Sequence, residues 1–264
     1  MELYLKIIIA VFVTIFGLCI GSFLNVIIYR CPRKLSIVKP GSFCPKCKEP
    51  IKFYDNIPII SYIILGGKCR HCKEKISFRY PLVEGLTGLS YLASFLMFGL
   101  DLYTIFACLI ATILIVISFI DLDLMIIPDT CVLILLGLAI ILFFIPSNYK
   151  IDWLDKIIGL GVVSVLYLTF SIASKIRKKD LIGFGDIKLL AAMSLILGWE
   201  SILLGLFVAS LVALVYEVII NKNRTKKFPF APFLSIGFMF ALYFGPKLVA
   251  WYIGLIRWSK YAKI

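Results

Sequence analysis

The chain has 264 residues, of which 61% are hydrophobic and 16% are charged. Ordinary globular proteins are roughly 45–50% apolar and about 25% charged, so this composition excludes an ordinary soluble enzyme as well as a disordered or fibrous protein. The net charge is +13. In a membrane protein such an excess of Lys and Arg indicates topology first, because basic residues cluster on the cytoplasmic side of membrane helices.

Apolar runs divide the chain into about eight predicted transmembrane helices. The first run, 7–28, is too long for the core of a signal peptide and no small-residue cleavage site follows it, so we expect it to be retained. The sixth run is short for a membrane span. The remaining runs lie at about 82–100, 102–120, 130–146, 157–174, 187–199, 202–220 and 230–253. The sequence therefore predicts an all-α polytopic membrane protein.

Basic residues predict the orientation of these helices. Segments 29–79, 175–179 and 222–227 together hold 20 of the 28 Lys and Arg residues. An eight-span arrangement places all three segments on one side, which the positive-inside rule makes cytoplasmic. Arg257, Lys260 and Lys263 of the tail would lie on the other side and are the exception. Because the charge follows the topology, we expect the lipid bilayer as a partner and no nucleic acid.

A polar insert at 29–81 follows the first span, 1–28, and contains four cysteines in two CxxC pairs. These are Cys44, Cys47, Cys69 and Cys72. Two such pairs can hold one zinc ion in a tetrahedral site, whereas two disulfides would require an oxidising compartment. Since the insert is predicted to be cytoplasmic, the sequence favours a structural, zinc-ribbon-like site. The neighbouring His71 is then a bystander, because four thiolates complete the site.

Acidic residues follow the third predicted span. Asp121 and Asp123 end that apolar run, and Pro128 with Asp129 precedes the fourth. Asp129 would complement a helix N-terminus, and Asp121 and Asp123 could be polar stops at the membrane boundary. All are predicted to lie at the cytoplasmic membrane face, where acids are costly and often functional.

A second acidic group, Gly183-Phe184-Gly185-Asp186, precedes the sixth span at the same predicted face. Asp186 could be a helix N-cap beside two permissive glycines. It could instead form a carboxylate pair with an acid of the first group. In such a pair one carboxyl activates water and the other protonates a leaving amide nitrogen. A Ser-His-Asp arrangement is excluded because the one histidine lies in the insert.

The chain resembles the type IV prepilin peptidases, which are membrane aspartic peptidases of the GxGD type. The resemblance extends over nearly the whole chain. It includes GSFLNV at 21–26, RCP at 30–32, the two CxxC pairs, NIP at 56–58, Ser61, SFRYP at 77–81, Glu84, ID at 120–121, IPD at 127–129, GFGD at 183–186, Lys188 and PFAPF at 229–233.

This resemblance implies a catalytic pair formed by Asp121 and Asp186, with Gly183, Gly185 and Pro128 as supporting residues. Asp123 is the rival of Asp121; two residues along a helix turn a side chain by about 200°, so only one of them is expected to face Asp186. Segment 82–264 would then be the peptidase core. The implied substrates are prepilins or pseudopilins, which are cleaved at the cytoplasmic face of the bacterial inner membrane.

The resemblance also implies that the new N-terminal residue is methylated from S-adenosylmethionine. The sequence has no Gly-rich nucleotide-binding turn, so a soluble-type methyltransferase domain is not predicted. The cysteine insert and its flanks would contribute to this activity. Glu84 and the segment 25–30 are candidates for binding the methyl donor, although Glu84 could equally have a structural role.

Two other functions are compatible with the composition. A transporter would also contain acids within a basic membrane protein, although its acids would be expected near the bilayer midplane. A non-catalytic zinc-ribbon scaffold would use the aspartates only as helix caps. Replacing Asp186 by Asn separates these hypotheses, because a scaffold would tolerate the change and a peptidase would not.

Overall fold

A computed structural model of the chain describes residues 2–145, 152–177, 183–219 and 229–261, and side chains except those of residues 2, 253 and 255–261. Within these ranges the chain is helical, with two isolated β-bridges and no strand. The α-helices are α1 (Glu2–Arg30), α2 (Ile60–Ile64), α3 (Arg79–Phe98), α4 (Leu102–Leu124), α5 (Asp129–Phe144), α6 (Trp153–Arg177), α7 (Phe184–Ile219) and α8 (Ala231–Tyr261).

Six helices of the described residues, α1, α3, α4, α6, α7 and α8, are long and apolar enough to cross a membrane. A seventh, α5, is apolar but has only 16 residues, about 24 Å of helix. The hydrocarbon core of a bilayer is about 30 Å thick, so α5 is shorter than a standard span. The predicted all-α, multi-pass membrane fold is confirmed.

The predicted sixth and seventh spans, 187–199 and 202–220, are not separated by a loop. Both belong to α7, whose 36 residues include one non-helical position, Gly198, with φ 74° and ψ 174°. Glycine adopts this positive φ without the steric cost of a Cβ, so a single residue is enough to break the helix. α7 therefore consists of two helical segments, 184–197 and 199–219, which meet at Gly198 and correspond to the predicted sixth and seventh spans.

The chain divides into two units, unit 1 (Met1–Ile120) and unit 2 (Asp121–Ile264), and the division falls within α4. In unit 1, α1 packs along α3. A Cβ on Gly21 would lie 2.7 Å from Glu84 Cα, and one on Gly88 would lie 2.7 Å from Leu18 Cδ2. Small residues thus let the two backbones approach closely, as is usual between membrane helices. The cysteine insert connects these two helices.

In unit 2, α7 is the central helix and packs against α5, α6 and α8. Leu189, Met193 and Phe238 are completely buried between these helices. A Cβ on Gly237 would collide with the carbonyl oxygen of Gly205, so α7 and α8 are also in close backbone contact. These contacts run antiparallel, so the beginning of α8, at Phe233, lies beside the end of α7, at Tyr216.

Several basic residues on which the predicted orientation depends lie outside the described residues. These are Lys178, Lys179, Lys222, Arg224, Lys226, Lys227 and Lys263. The side chains of Arg257 and Lys260 also lie outside the described part of the chain. The predicted cytoplasmic orientation therefore stays a prediction.

Candidate functional site

Asp121 lies in the last turn of α4 and is almost completely buried, with 6% of its surface exposed. Its Oδ2 accepts a hydrogen bond of 3.1 Å from the backbone N–H of Ala231, the first residue of α8. The first N–H groups of a helix have no partner within the helix and carry the positive end of its dipole. Asp121 therefore satisfies a buried donor, and this bond fixes the orientation of its carboxyl group.

Asp186 is the third residue of α7 and is half-buried. Its backbone N–H bonds the carbonyl of Gly183 at 3.1 Å, so the first turn of α7 begins directly after that glycine. The charge of Asp121 acts on Asp186, so the two carboxyl groups are within electrostatic range of each other. The end of α4 and the start of α7 thus contribute one acid each to a common site in unit 2.

The two glycines before Asp186 allow close contacts that a side chain would prevent. A Cβ on Gly183 would lie 2.9 Å from Asp186 Oδ2, and one on Gly185 would lie 3.1 Å from Ile127 Cβ. Contacts at such distances require the neighbouring atoms to shift. Gly185 therefore packs directly on the turn that joins α4 to α5.

That turn begins at Met125, whose positive φ of 55° ends α4, and its N–H bonds the Asp121 carbonyl at 2.8 Å. Pro128 then has the extended backbone of an N-cap residue, and Asp129 begins α5. The Asp129 carboxylate is 2.7 Å from Lys188 Nζ. This ion pair links the start of α5 to the first turns of α7 at the surface of unit 2.

The structure separates the alternatives for the individual acids. Asp121 is buried and within electrostatic range of Asp186, whereas the Asp123 side chain is exposed. Asp186 follows the start of α7 by two residues, so the suggestion that it is the N-cap of that helix is wrong. Asp129 does lie in the first turn of α5, where an acid complements the helix dipole.

The second candidate site, in unit 1, is formed by the four cysteines of the insert. Their sulfur atoms all lie within 4.8 Å of one another. Cys44 Sγ is 3.8 Å from Cys72 Sγ, and Cys47 Sγ is 4.0 Å from Cys69 Sγ. A disulfide would require a separation of about 2.05 Å, whereas four sulfurs at about 2.3 Å from one zinc ion are about 3.8 Å apart. The four residues therefore fit a tetrahedral metal site.

The two CxxC pairs have the same local structure. The N–H of Cys44 bonds the carbonyl of Glu49, and the N–H of Cys69 bonds that of Glu74, at 2.9 and 2.8 Å. The residue after each second cysteine, Lys48 or Lys73, has a positive φ that completes the turn. Each pair is thus a preformed knuckle that presents two sulfur atoms to the other.

The electrostatics of the cluster also fit a cation. The backbone N–H of Cys47 lowers the pKa of the Cys44 thiol to about 7, although burial opposes this shift. At Cys47 the backbone N–H of Glu49 lowers the pKa of the thiol. Burial and the neighbouring thiols have the opposite and larger effect, so the pKa rises to about 11. One thiolate thus forms readily, and adding further thiolates is costly unless a metal ion compensates their charge.

Glu84, a predicted candidate for binding the methyl donor, has structural partners. It is buried, with 8% exposed, and its Oε2 accepts the N–H of Ile59 at 2.8 Å. Asn25 Nδ2 donates to the carbonyls of Gly21 and Tyr80, both at 3.3 Å. Glu84 therefore attaches α3 to the insert, and Asn25 attaches α1 to the beginning of α3.

Comparison with known proteins identifies the family of the chain. Residues 15–98 match the family described as Bacterial Peptidase A24 N-terminal domain, and residues 108–218 match the Type IV leader peptidase family. The prepilin leader peptidase/N-methyltransferase of Legionella pneumophila is 34% identical over 92% of this chain and 93% of its own length. The chain belongs to the type IV leader peptidase family.

Other members of this family show the same extent of similarity. The Aeromonas salmonicida protein of the same name is 34% identical over 92% of this chain and 94% of its own length. For the Neisseria gonorrhoeae protein the identity is 34%, over 84% of this chain and 86% of that protein. No solved structure matches the chain.

Two parts of the acid site are not predictable from the sequence of this chain. One is the Ala231 N–H that bonds Asp121, and the other is the Ile127 side chain that packs on Gly185. Both residues lie in segments that supported the family resemblance, 229–233 and 127–129, but backbone donors and packing partners cannot be assigned from residue types alone.

Proposed function

We propose that this chain removes the leader from type IV prepilins or pseudopilins and then methylates the new N-terminal residue. The relatives that it matches over most of its length are named prepilin leader peptidase/N-methyltransferase. The observation that supports the peptidase activity most directly is the buried Asp121 beside Asp186 in unit 2.

The acid pair accounts for peptide hydrolysis without a further catalytic group. One carboxylate accepts a proton from water as its oxygen attacks the scissile carbonyl, and the other carboxyl donates a proton to the leaving amide nitrogen. The Ala231 N–H bonds Oδ2 of Asp121 and orients its carboxyl group. The other oxygen, Oδ1, would then accept the proton of the reacting water. Loss of either carboxylate removes half of this proton transfer.

The position of the pair suits a substrate that is half membrane helix. Asp121 lies at the end of one predicted span, and Asp186 and Ala231 lie at the beginnings of two others, so the site is at a membrane boundary. We place this boundary at the cytoplasmic face of the bacterial inner membrane, because the basic segments predict that side. A basic leader would remain in the cytoplasm while the apolar pilin helix docks beside the spans.

Lateral docking has a direct test. Synthetic prepilins with the apolar helix should be cleaved by the enzyme in lipid nanodiscs, and peptides that keep the leader and cleavage site without the helix should be poor substrates. Equal turnover of the two substrates would contradict docking from the membrane.

The insert would serve the methyl transfer. We infer that Cys44, Cys47, Cys69 and Cys72 hold a zinc ion, which supplies a cross-link between the two knuckles and leaves no open coordination position for chemistry. S-adenosylmethionine would be the methyl donor. The residues of the insert then have to bind this donor and present it to the new pilin N-terminus.

Mass spectrometry of a reconstituted reaction tests both activities. The purified enzyme should shorten a prepilin by its leader and, with S-adenosylmethionine, add one methyl group to the product. Asp186→Asn should abolish shortening while the protein is still inserted at normal abundance. A variant that still removes the leader at the wild-type rate would overturn the peptidase assignment and favour the scaffold hypothesis.

A further inference from the structure

Unit 1 contains a cavity of about 410 Å³ to which no ligand has been assigned above. One wall is a face of the last turns of α1, and the other walls come from two stretches of the insert. The residues that matter below are Ser22, Val26 and Arg30 of α1, and Gly41, Asn56 and Pro58 of the insert. Pockets for small ligands have volumes of about 300–1,000 Å³, so this cavity is large enough for a cofactor-sized molecule.

Arg30 forms the polar end of the cavity. Its Nη1 donates to the carbonyl of Ser36 at 3.0 Å, and its Nη2 donates to the carbonyl of Gly41 at 3.2 Å. These bonds fold the start of the insert back over the end of α1. A guanidinium has five N–H donors, so these two bonds leave donors for an anionic group such as a carboxylate.

The wall that contains Asn56 and Pro58 is held in a strained conformation. Ile59, the next residue, has φ 59° and ψ −49°, and the N–H of Ile60 bonds the carbonyl of Pro58. This is a γ-turn with a positive central φ, which is rare and costly for a β-branched residue. Glu84 maintains it by accepting the Ile59 N–H at 2.8 Å. Strain of this kind persists where surrounding groups enforce it, and it is concentrated at ligand sites.

The depth of the cavity in the membrane follows from the length of α1. Its 29 residues form a helix of about 43 Å, and the hydrocarbon core is about 30 Å thick. The last turns of α1, which line the cavity, therefore lie at the boundary on the side of the insert. The amine of a processed pilin, at the start of its apolar helix, lies at such a boundary too.

We propose that this cavity is the binding site for S-adenosylmethionine. This inference rests on the proposed function, because that function requires a methyl donor. The methionyl carboxylate would pair with Arg30, and the adenine would lie on the apolar wall that includes Val26 and Pro40. Ser22 and Asn56 provide hydrogen-bonding groups for the ribose hydroxyls. Glu84 acts as a positioning residue, because it holds the turn that supports Asn56 and Pro58.

Methyl transfer at this site is chemically complete with the two substrates. The lone pair of the pilin amine forms the new N–C bond, and the electron pair of the S–C bond returns to sulfur. The products are the methylated amine and S-adenosylhomocysteine, and the surplus proton of the amine is released to water. No oxidant or further cofactor is required.

Binding of radiolabelled S-adenosylmethionine to the full-length enzyme in nanodiscs tests the site without relying on activity. Arg30→Gln should raise the dissociation constant by about tenfold or more, because a charge-assisted bond is lost. Val26→Trp should abolish binding at concentrations that saturate the wild type. Arg33→Gln and Val11→Trp are the matched controls on α1 and the turn that follows it. They should stay within about twofold of the wild type, because Arg33 bonds Tyr29 and Val11 is exposed.

Photochemical labelling of the wild-type protein tests the site without any variant, so its result does not depend on whether the variants fold. Irradiation with labelled S-adenosylmethionine should mark segments 19–30, 37–42 or 56–58. Labelling of other segments would overturn the site. In that case native mass spectrometry of the wild type and of Arg30→Gln shows whether a phospholipid occupies the cavity instead: its retention by the wild type and loss from the variant would assign the cavity to a lipid.

The outcomes also separate this inference from the proposed function. If the wild type methylates pilin and the cavity variants bind the donor normally, the site is wrong and the function stands. If the wild type cleaves prepilin but binds no S-adenosylmethionine, both the site and the methyl-transfer half of the function are wrong.

Discussion

In unit 1 the four candidate ligands come from one short segment, 44–72, and each CxxC pair has its own hydrogen-bonded turn. In unit 2 the candidate acid site takes Asp121, Asp186 and the Ala231 N–H from the ends of three helices that are far apart in sequence. The four-cysteine cluster is thus a local structure within its own segment of the chain. The acid pair exists only when the helices of unit 2 are packed.

This difference leads us to expect that the two proposed activities can be damaged separately. A change in the insert should act on methyl transfer, which requires an ordered loop. A change at the ends of α4 or α7 should act on cleavage, which requires two aligned carboxyl groups. The following variants test this division.

The largest effect is expected when either carboxylate of the acid pair is removed. Asp121→Asn and Asp186→Asn should each reduce leader cleavage by about 10³-fold or more, because each removes one proton-transfer group. The double variant should be no worse than either single variant, since groups that act as one unit are not additive. Methyl transfer to a pilin that has already been cleaved should continue. Multiplicative losses in the double variant would show that the two acids act independently.

Changes at the metal site should have the opposite profile. Cys47→Ser or Cys72→Ser removes one ligand and should lower zinc affinity by more than the roughly 10–100-fold typical of changes to residues that only support a ligand, with methyl transfer falling more than cleavage. Cys31→Ser is the matched control, because its exposed thiol lies outside the cluster. Zinc content and both activities are measured on the same preparations. A greater loss of cleavage than of methylation would contradict the division between the units.

Gly185→Val tests whether the acid site depends on close packing. The added Cβ would lie 3.1 Å from Ile127, and overpacking of this kind costs about 1–3 kcal/mol, so cleavage should fall about tenfold. Gly161→Val is the control in α6, since nothing lies within 4 Å of its added Cβ. Cleavage rates at equal membrane abundance give the comparison. Equal rates for the two variants would show that the contact with Ile127 does not position Asp186.

The smallest effect is expected at the ion pair between Lys188 and Asp129. Its 2.7 Å separation is short, but the Asp129 side chain is 71% exposed. Exposed pairs contribute less than about 1 kcal/mol, so Lys188→Gln should slow cleavage by no more than about fivefold. A double-mutant cycle with Asp129→Asn measures the coupling. A loss as large as that of Asp186→Asn would place Lys188 among the catalytic groups.

Much of this architecture is predictable because its determinants are local. The CxxC pairs identify the four-cysteine cluster, and the apolar runs identify the membrane helices. The apolar runs on either side of Gly198 match the two segments of α7, but hydropathy does not show whether a loop or a one-residue break joins them. The choice between Asp121 and Asp123 came from the family resemblance, and the structure gives the physical difference between them: Asp121 is buried and Asp123 is exposed. The Ala231 N–H depends on packing between distant helices and has no sequence pattern of its own.

The central claim is that Asp121, and not its neighbour Asp123, works with Asp186 in leader cleavage. Asp121→Asn and Asp123→Asn make the same chemical change two residues apart, so one assay of prepilin cleavage at matched abundance compares them directly. We expect Asp121→Asn to lose cleavage and Asp123→Asn to keep most of it, because the first carboxylate is buried beside Asp186 and the second is exposed. Substantial cleavage by Asp121→Asn together with its loss in Asp123→Asn would contradict the proposed site.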